Sequence, residues 1–476
     1  MFLARAFLIL ILAHGLAANG AEAKKEFKAG AATANISPWM GLSIEGNMHD
    51  HKGTNLHDQL HARSLVLDDG ETRLAIVIAD SCMIPRAVFD EAKRIVHTRN
   101  GMPVENMLMA ATHTHSAPTA VGIFQCTPDP EYQKFLSLRL ADAVLQAINN
   151  LEPAQIGWGK GSEPRHVSNR RWKMQPGVTN VNLSTGANDL VRMNPRPGSP
   201  DLLEPAGPTD PEVPVVAVKT KTGRPLALLA NYSMHYCGDV GGDDVISADY
   251  FGAFCDRVQR LLQADRQQPP FVAMLSNGTS GDCNSTDFRS PPRAEPPFTQ
   301  INRVANDVAD VALKVYEQIE FHEWVQLKHA QTELSLGIRP PTEDVELVKT
   351  RLAKAPRRNG QLIPWTKAIY DHESVLLSEY PTEVPLILQA FRIGELAIAA
   401  IPCEVFAETG LDLKHKSPFP QTFTIELANG YNGYLPTPAQ HKLGGYETWR
   451  ARSSYLETGA STKISQAVFK LFDQIK

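Results

Sequence analysis

His113 and His115 stand two residues apart at the end of an apolar run, Met107-Leu-Met-Ala-Ala-Thr-His113-Thr-His115-Ser-Ala-Pro118. Successive side chains of a strand point to opposite faces, so residues i and i+2 share one. A strand over residues 108–114 therefore sends both imidazoles the same way at its carboxyl end, where open α/β sheets hold their ligands. Two neutral imidazoles on one face can begin a zinc site. They can equally be a solvated or hydrogen-bonded pair, and what other strands bring to the same edge decides between the two.

Hydrophobic periodicity places those other strands. Residues 60–67 alternate as a strand, Asp68-Asp69-Gly70 turns, and residues 74–79 return and end at Asp80. Residues 87–97 and 132–149 read as helices. The stretch 163–214 is rich in Asn, Pro, Gly and Arg and has little period, a long loop of the functional or disordered kind, and it holds Asn169-Arg170-Arg171-Trp172. A second hairpin, 215–219 with 226–232, ends at Ser233-Met234-His235-Tyr236. A short buried strand, 271–276, runs into a polar loop with Gly281-Asp282-Cys283-Asn284. A third hairpin, 384–391 with 396–401, exits at Pro402-Cys403-Glu404, and a last strand, 423–427, ends in Asn429-Gly-Tyr431-Asn-Gly-Tyr434. The expected fold class is α/β, with mixed β-sheets flanked by helices and strand ends forming a zinc site. Alone, each residue has a plain reading: a satisfied histidine, a solvated carboxylate, a turn aspartate, a packing tyrosine. Their recurrence at strand exits points to a site. His49, His51 and His57 lie in a glycine-rich loop and read as exposed.

Composition bounds the function. Residues 1–23 have a basic start, an apolar run and the Ala21-Glu22-Ala23 cleavage pattern, so they read as a secretory signal and the protein as exported, periplasmic or secreted. No other uninterrupted apolar run approaches the ~20 residues of a membrane span. The net charge is −5 with both signs mixed. No basic stripe argues for nucleic acid, and no polybasic cluster for an anionic membrane, leaving at most peripheral membrane contact. The six cysteines are scattered singly, with no Cys-x-x-Cys zinc spacing.

The motifs together resemble the neutral, non-lysosomal ceramidase family of secreted zinc-dependent amidases. His113-Thr-His115-Ser-Ala-Pro118 closely matches that family's His-Thr-His-Ser-Gly-Pro, and Leu60-His61-Ala62-Arg63 its early arginine-bearing strand. Asn169-Arg170 is similar to its Asn-Arg-Ser motif. Ser247-Ala248-Asp249, Gly281-Asp282, Ile401-Pro402-Cys403-Glu404, the tyrosine loop 429–434 and Tyr455 with Gly459-Ala460-Ser461 follow in the family's order. The resemblance implies that His113, His235, Glu404 and one of Tyr431 and Tyr434 ligate Zn2+. It implies that His115, Arg170 and Asp282 serve the substrate or the transition state. The substrate is then a small molecule or lipid carrying an amide or ester. Two departures stand out: Asn284 occupies the place of a proposed family serine nucleophile, with Ser285 one step out of register, and the chain reads as one catalytic domain, 24–476, without a following immunoglobulin-like domain. The alternatives are a binding protein that keeps the metal without catalysis, and a hydrolase of a non-lipid amide or ester.

Overall fold

Apolar strands buried on both faces build the centre of the molecule. The structure is a computed structural model and describes residues 25–292 and 294–476; the segment 1–23 read as a signal lies outside the described residues. The larger sheet has eight strands in the order Val272–Asn277, Pro225–Tyr232, Glu212–Thr220, Glu152–Ser162, Lys28–Asn35, His61–Asp68, Arg73–Ala79 and Met107–Ala111. The smaller, of four strands, runs Leu327–Gly337, Glu383–Ile393, Leu396–Ile401 and Gln421–Glu426. Leu65, Ile76 and Leu108 of one meet Phe391, Ile398 and Phe423 of the other in a single buried cluster, so the sheets stack face to face. Helices Arg86–Asn100, Pro130–Asn149, Asp249–Leu261 and Thr299–Gln318 cover the larger sheet, and Ala460–Ile475 the smaller. The α/β class with mixed, helix-flanked sheets is what forms.

Local chemistry explains the boundaries. Helix Pro130–Asn149 starts where the Asp129 side chain accepts from the backbone N–H groups of Glu131 and Tyr132. Helix Arg86–Asn100 stops at Gly101, which takes φ 80. All three expected hairpins pair antiparallel. Three neighbouring pairs are parallel: Arg73–Ala79 with Met107–Ala111, Pro225–Tyr232 with Val272–Asn277, and Leu396–Ile401 with Gln421–Glu426. Their carboxyl ends lead into the candidate residues. The two sheets are joined at that end, where Ala110 bridges Ala428 and the Asn429 N–H donates to Met109 O at 2.7 Å.

Two expectations change. The histidine strand closes at Ala111, and His113 adopts φ 79, so the two histidines are not alternate residues of one strand. The stretch 163–214 is not a bare loop: Arg171–Met174, Val191–Met193 and Leu202–Pro205 pair into a small sheet of their own. All six cysteines are free thiols, and no described helix is long and apolar enough to cross a membrane.

Lys93 ties the first helix to the tyrosine loop. It is 4% exposed, and its Nζ donates to Asn429 Oδ1 at 2.7 Å. Burial lowers its pKa to about 8. An unfolded lysine titrates near 10.4, so between about pH 8 and pH 10.4 the unfolded chain binds more protons and stability from this group rises with pH. Denaturant titrations should therefore show wild type gaining on Lys93→Met across that window by on the order of 3 kcal/mol; parallel profiles would contradict the burial.

Candidate metal centre

The reversed backbone at His113 replaces strand alternation as the device that gathers the imidazoles. His113 Nε2 lies 3.1 Å from His115 Nε2 and 2.9 Å from His235 Nε2. Each ring is turned by its other nitrogen: His113 Nδ1 bonds Cys82 O at 2.9 Å, His235 Nδ1 bonds Ser280 O at 3.2 Å, and the His115 ring bonds the Gly46 backbone. A carbonyl can only accept, so each Nδ1 carries the proton and each neutral ring presents an Nε2 lone pair inward. Burial, with Arg170 and the neighbouring imidazoles, keeps His235 neutral by holding its pKa well below the ordinary histidine value.

Glu404 completes the cluster from the other sheet. Its Oε2 is 3.4 Å from His113 Nε2 and 3.6 Å from His235 Nε2, fully buried, and without a hydrogen-bond partner. Its Oε1 accepts from the Tyr431 hydroxyl at 2.9 Å. Glu404 is held by a short parallel pairing with Tyr434, its N–H donating to Gly433 O. Gly281 lets the chain pass, since a Cβ there would lie 2.5 Å from Glu404 O. Glu426 braces both sides: it accepts from Ser280 Oγ at 2.6 Å and from the Val405 N–H at 2.6 Å, and Ser280 O holds the His235 ring.

This donor set fits a divalent cation. Two imidazole lone pairs and an orphaned carboxylate oxygen, all buried within 4.8 Å of one another, repel unless a positive charge sits between them. Metal–imidazole bonds of about 2.0–2.1 Å place such ligand atoms roughly 3–3.5 Å apart, as found here. Cys82 forms a second metal-capable group with His113 and His115; its Sγ lies on the Nδ1 side of His113 at 3.7 Å, and burial pushes its thiol well above the ordinary value.

The remaining candidates surround this point. Tyr431 meets Glu404 directly, whereas the Tyr434 ring lies parallel to His235 at 6.4 Å and under the Arg170 guanidinium at 5.4 Å. Arg170, 4% exposed, is aimed by Gly281 O on Nη2 at 2.9 Å and Glu447 on Nε at 3.1 Å. Asp282 stands further back: its carboxylate accepts from the Ala407 N–H and from Asn169 Nδ2, and its carbonyl from the Arg170 N–H. It thereby sets the strand that presents Arg170 and does not line the cavity over the histidines. Asn284 bonds Asn194, and Ser285 lines a neighbouring cavity of about 250 Å3 with Arg170 and Tyr236. His57 stacks on Phe298, and His51 faces Asp243, both away from the cluster.

Several contributors escaped the sequence reading. Tyr236 stacks flat on His115 at 3.6 Å, and the next-door position to His235 was its one signal. Tyr446 and the buried Glu45 line the cavity over the histidines, which measures about 30 Å3. Gly46 beside Glu45 has φ 109, and a Cβ there would fall 2.5 Å from the His115 ring.

Comparison with known proteins agrees with the geometry. Residues 27–288 match the model of the family described as neutral/alkaline non-lysosomal ceramidase, N-terminal. Neutral ceramidase B of Dictyostelium discoideum is 24% identical over 275 residues, covering 54% of this chain and 36% of its own length. The chain thus spans about a third of that curated relative. The crystal structure of neutral ceramidase from Pseudomonas aeruginosa shares the fold with a TM-score of 0.71 at 17% identity, over 95% of this chain and 75% of that one. A ceramidase complexed with C2 gives 0.69 at 16%, with the same coverages. With the family model matching more than half of its residues and the donor cluster drawn from both sheets, this chain belongs to the neutral/alkaline non-lysosomal ceramidase family.

Proposed function

We propose that this chain is an exported, zinc-dependent amidase that hydrolyses the amide of an N-acyl lipid of the ceramide class. One observation carries the reading: the buried, unpartnered Oε2 of Glu404 facing the Nε2 lone pairs of His113 and His235. Family membership supports the amide, and the signal pattern of residues 1–23 supports export. His113, His235 and Glu404 hold the ion, with Tyr431 as the further oxygen donor beside Glu404. A zinc ion there supplies Lewis acidity, acidifying water and polarising a carbonyl.

The chain's own groups do the rest. His115 Nε2 sits at the edge of the cluster, with its ring fixed by Gly46 and Tyr236, and passes a proton from the attacking water to the departing amine. The Arg170 guanidinium, fixed on Gly281 O and Glu447, places positive charge where the carbonyl oxygen becomes negative. Asp282 positions Arg170 through the backbone. With Asn284 in place of a serine and bound to Asn194, water rather than a side-chain hydroxyl is the nucleophile.

Arg170 can stay charged while buried because Glu447 is shared: Oε1 faces Arg170 and Oε2 takes Arg171 Nη1 at 2.6 Å, with all three side chains at most 5% exposed. Glu447→Gln removes the one charge between two guanidiniums. It should cost about 3–5 kcal/mol in denaturant unfolding, and a loss under about 1 kcal/mol would refute the pairing.

Elemental analysis of the purified protein should find one zinc per chain, lost in His113→Ala and Glu404→Ala. Turnover of a soluble, short-chain N-acyl amide should vanish with chelator and return with zinc. A metal-free protein that still hydrolyses the amide, or a zinc-loaded one that hydrolyses none of a graded panel of amides and esters, overturns the reading.

A further inference from the structure

The helix pair Val345–Leu352 and Lys367–Leu377 is joined by a hairpin packed against residues beside the cavity over the histidines. Between Glu346 and Asp371 the chain carries Lys349, Arg351, Lys354, Arg357, Arg358 and Lys367 and no acidic residue. Three of these are neutralised locally: Lys349 by Glu346, Arg351 by Glu343 and Asp371, and Lys367 by Glu343. Lys354, Arg357 and Arg358 are exposed and form no ion pair among the described residues. These three cations fall within five residues, Lys354-Ala-Pro-Arg357-Arg358, fewer than the roughly four to eight of a polybasic run.

The hairpin itself is well specified. Arg357 pairs with Leu362 and Arg358 with Gln361 across Asn359-Gly360, whose φ values of 51 and 80 make the Asn-Gly turn suited to a two-residue loop. Its base is fastened to the loops that line the cavity. Gln361 exchanges hydrogen bonds with the Asp50 backbone, the Leu362 N–H donates to Gln125 Oε1 at 2.6 Å, and the Trp365 ring meets Tyr446 at 5.5 Å. Tyr446 is a wall of the cavity. Beside the cations, Trp365 is 55% and Ile363 39% exposed. An exposed indole and an aliphatic side chain next to unpaired Lys and Arg is the composition that seats a protein in a bilayer interface.

We propose that residues 354–365 are the docking element for an anionic lipid surface. The cations take headgroup oxygens while Trp365 and Ile363 enter the interfacial layer, which turns the cavity mouth toward the lipid. This rests on the N-acyl-lipid reading of the substrate, yet the test needs no turnover. Purified full-length protein is floated with phosphatidylcholine vesicles, with or without phosphatidylglycerol, at low and high salt. Binding should appear on the mixed vesicles and fall with salt. Lys354→Ser/Arg357→Ser/Arg358→Ser should weaken it about 100-fold, roughly five-fold per cation, and Trp365→Ser should weaken it on its own. Equal binding to neutral vesicles, unchanged partition of the triple variant, or retention on heparin with no vesicle binding overturns the proposal. The triple variant should cleave a soluble amide at the wild-type rate; a fall would show that the hairpin serves the chemistry and would also overturn the docking role. If the wild type cleaves no amide at all, the proposed activity fails while flotation still decides docking.

Discussion

Electrostatic repulsion among lone pairs is the constraint around which this molecule is arranged. Three imidazole nitrogens and a carboxylate oxygen face one another, with His113, His235 and Glu404 buried and His115 half-buried. The Nδ1 atoms of His113 and His235 face backbone carbonyls, and on Glu404 the Tyr431 hydroxyl meets Oε1 and leaves Oε2 unpartnered. A cation at their centre would relieve that repulsion, since an unpaired buried charge costs several kcal/mol. The bracing by Glu426 and Ser280 is intelligible on that basis: it holds the His235 ring and the chain after Glu404 in place.

The sheets supply the geometry. Each ligand leaves a parallel strand pair at its carboxyl end, and the two sheets are fastened at that edge by the Ala110–Ala428 bridge and the Asn429 contacts. Parallel neighbours bring consecutive exits to the same side, as in other α/β folds that bind ligands at strand ends. The His115–Tyr236 stack stands where two cavities meet, with His115 lining one and Tyr236 the other.

Much of this was legible in the residues. Alternation and turn chemistry located the hairpins ending at Asp80, His235 and Glu404 within a residue or two, because those strands are apolar and their turns carry Gly or Asp. The histidine pair does converge with His235 and Glu404, though not by strand alternation: a left-handed His113, invisible to periodicity, brings the imidazoles together. Tertiary partners were the least readable. Glu447 and Glu426 are single acids in unremarkable sequence, and their roles exist only after distant segments meet. The small sheet inside 163–214 went unseen because strands of three or four residues carry too little pattern to stand out from a loop.

Because the ligands are contributed by both layers, an ion in this site is also a crosslink between them. His113 and His235 follow strands of the larger sheet and Glu404 follows one of the smaller, so an ion held by all three would link the loops that leave the two layers. Binding free energy then counts as cohesion of the whole domain: each tenfold excess of free ion over its dissociation constant adds about 1.4 kcal/mol to resistance against unfolding. An ion bound there would act as a rivet, lowering the population of transient openings that a protease can reach.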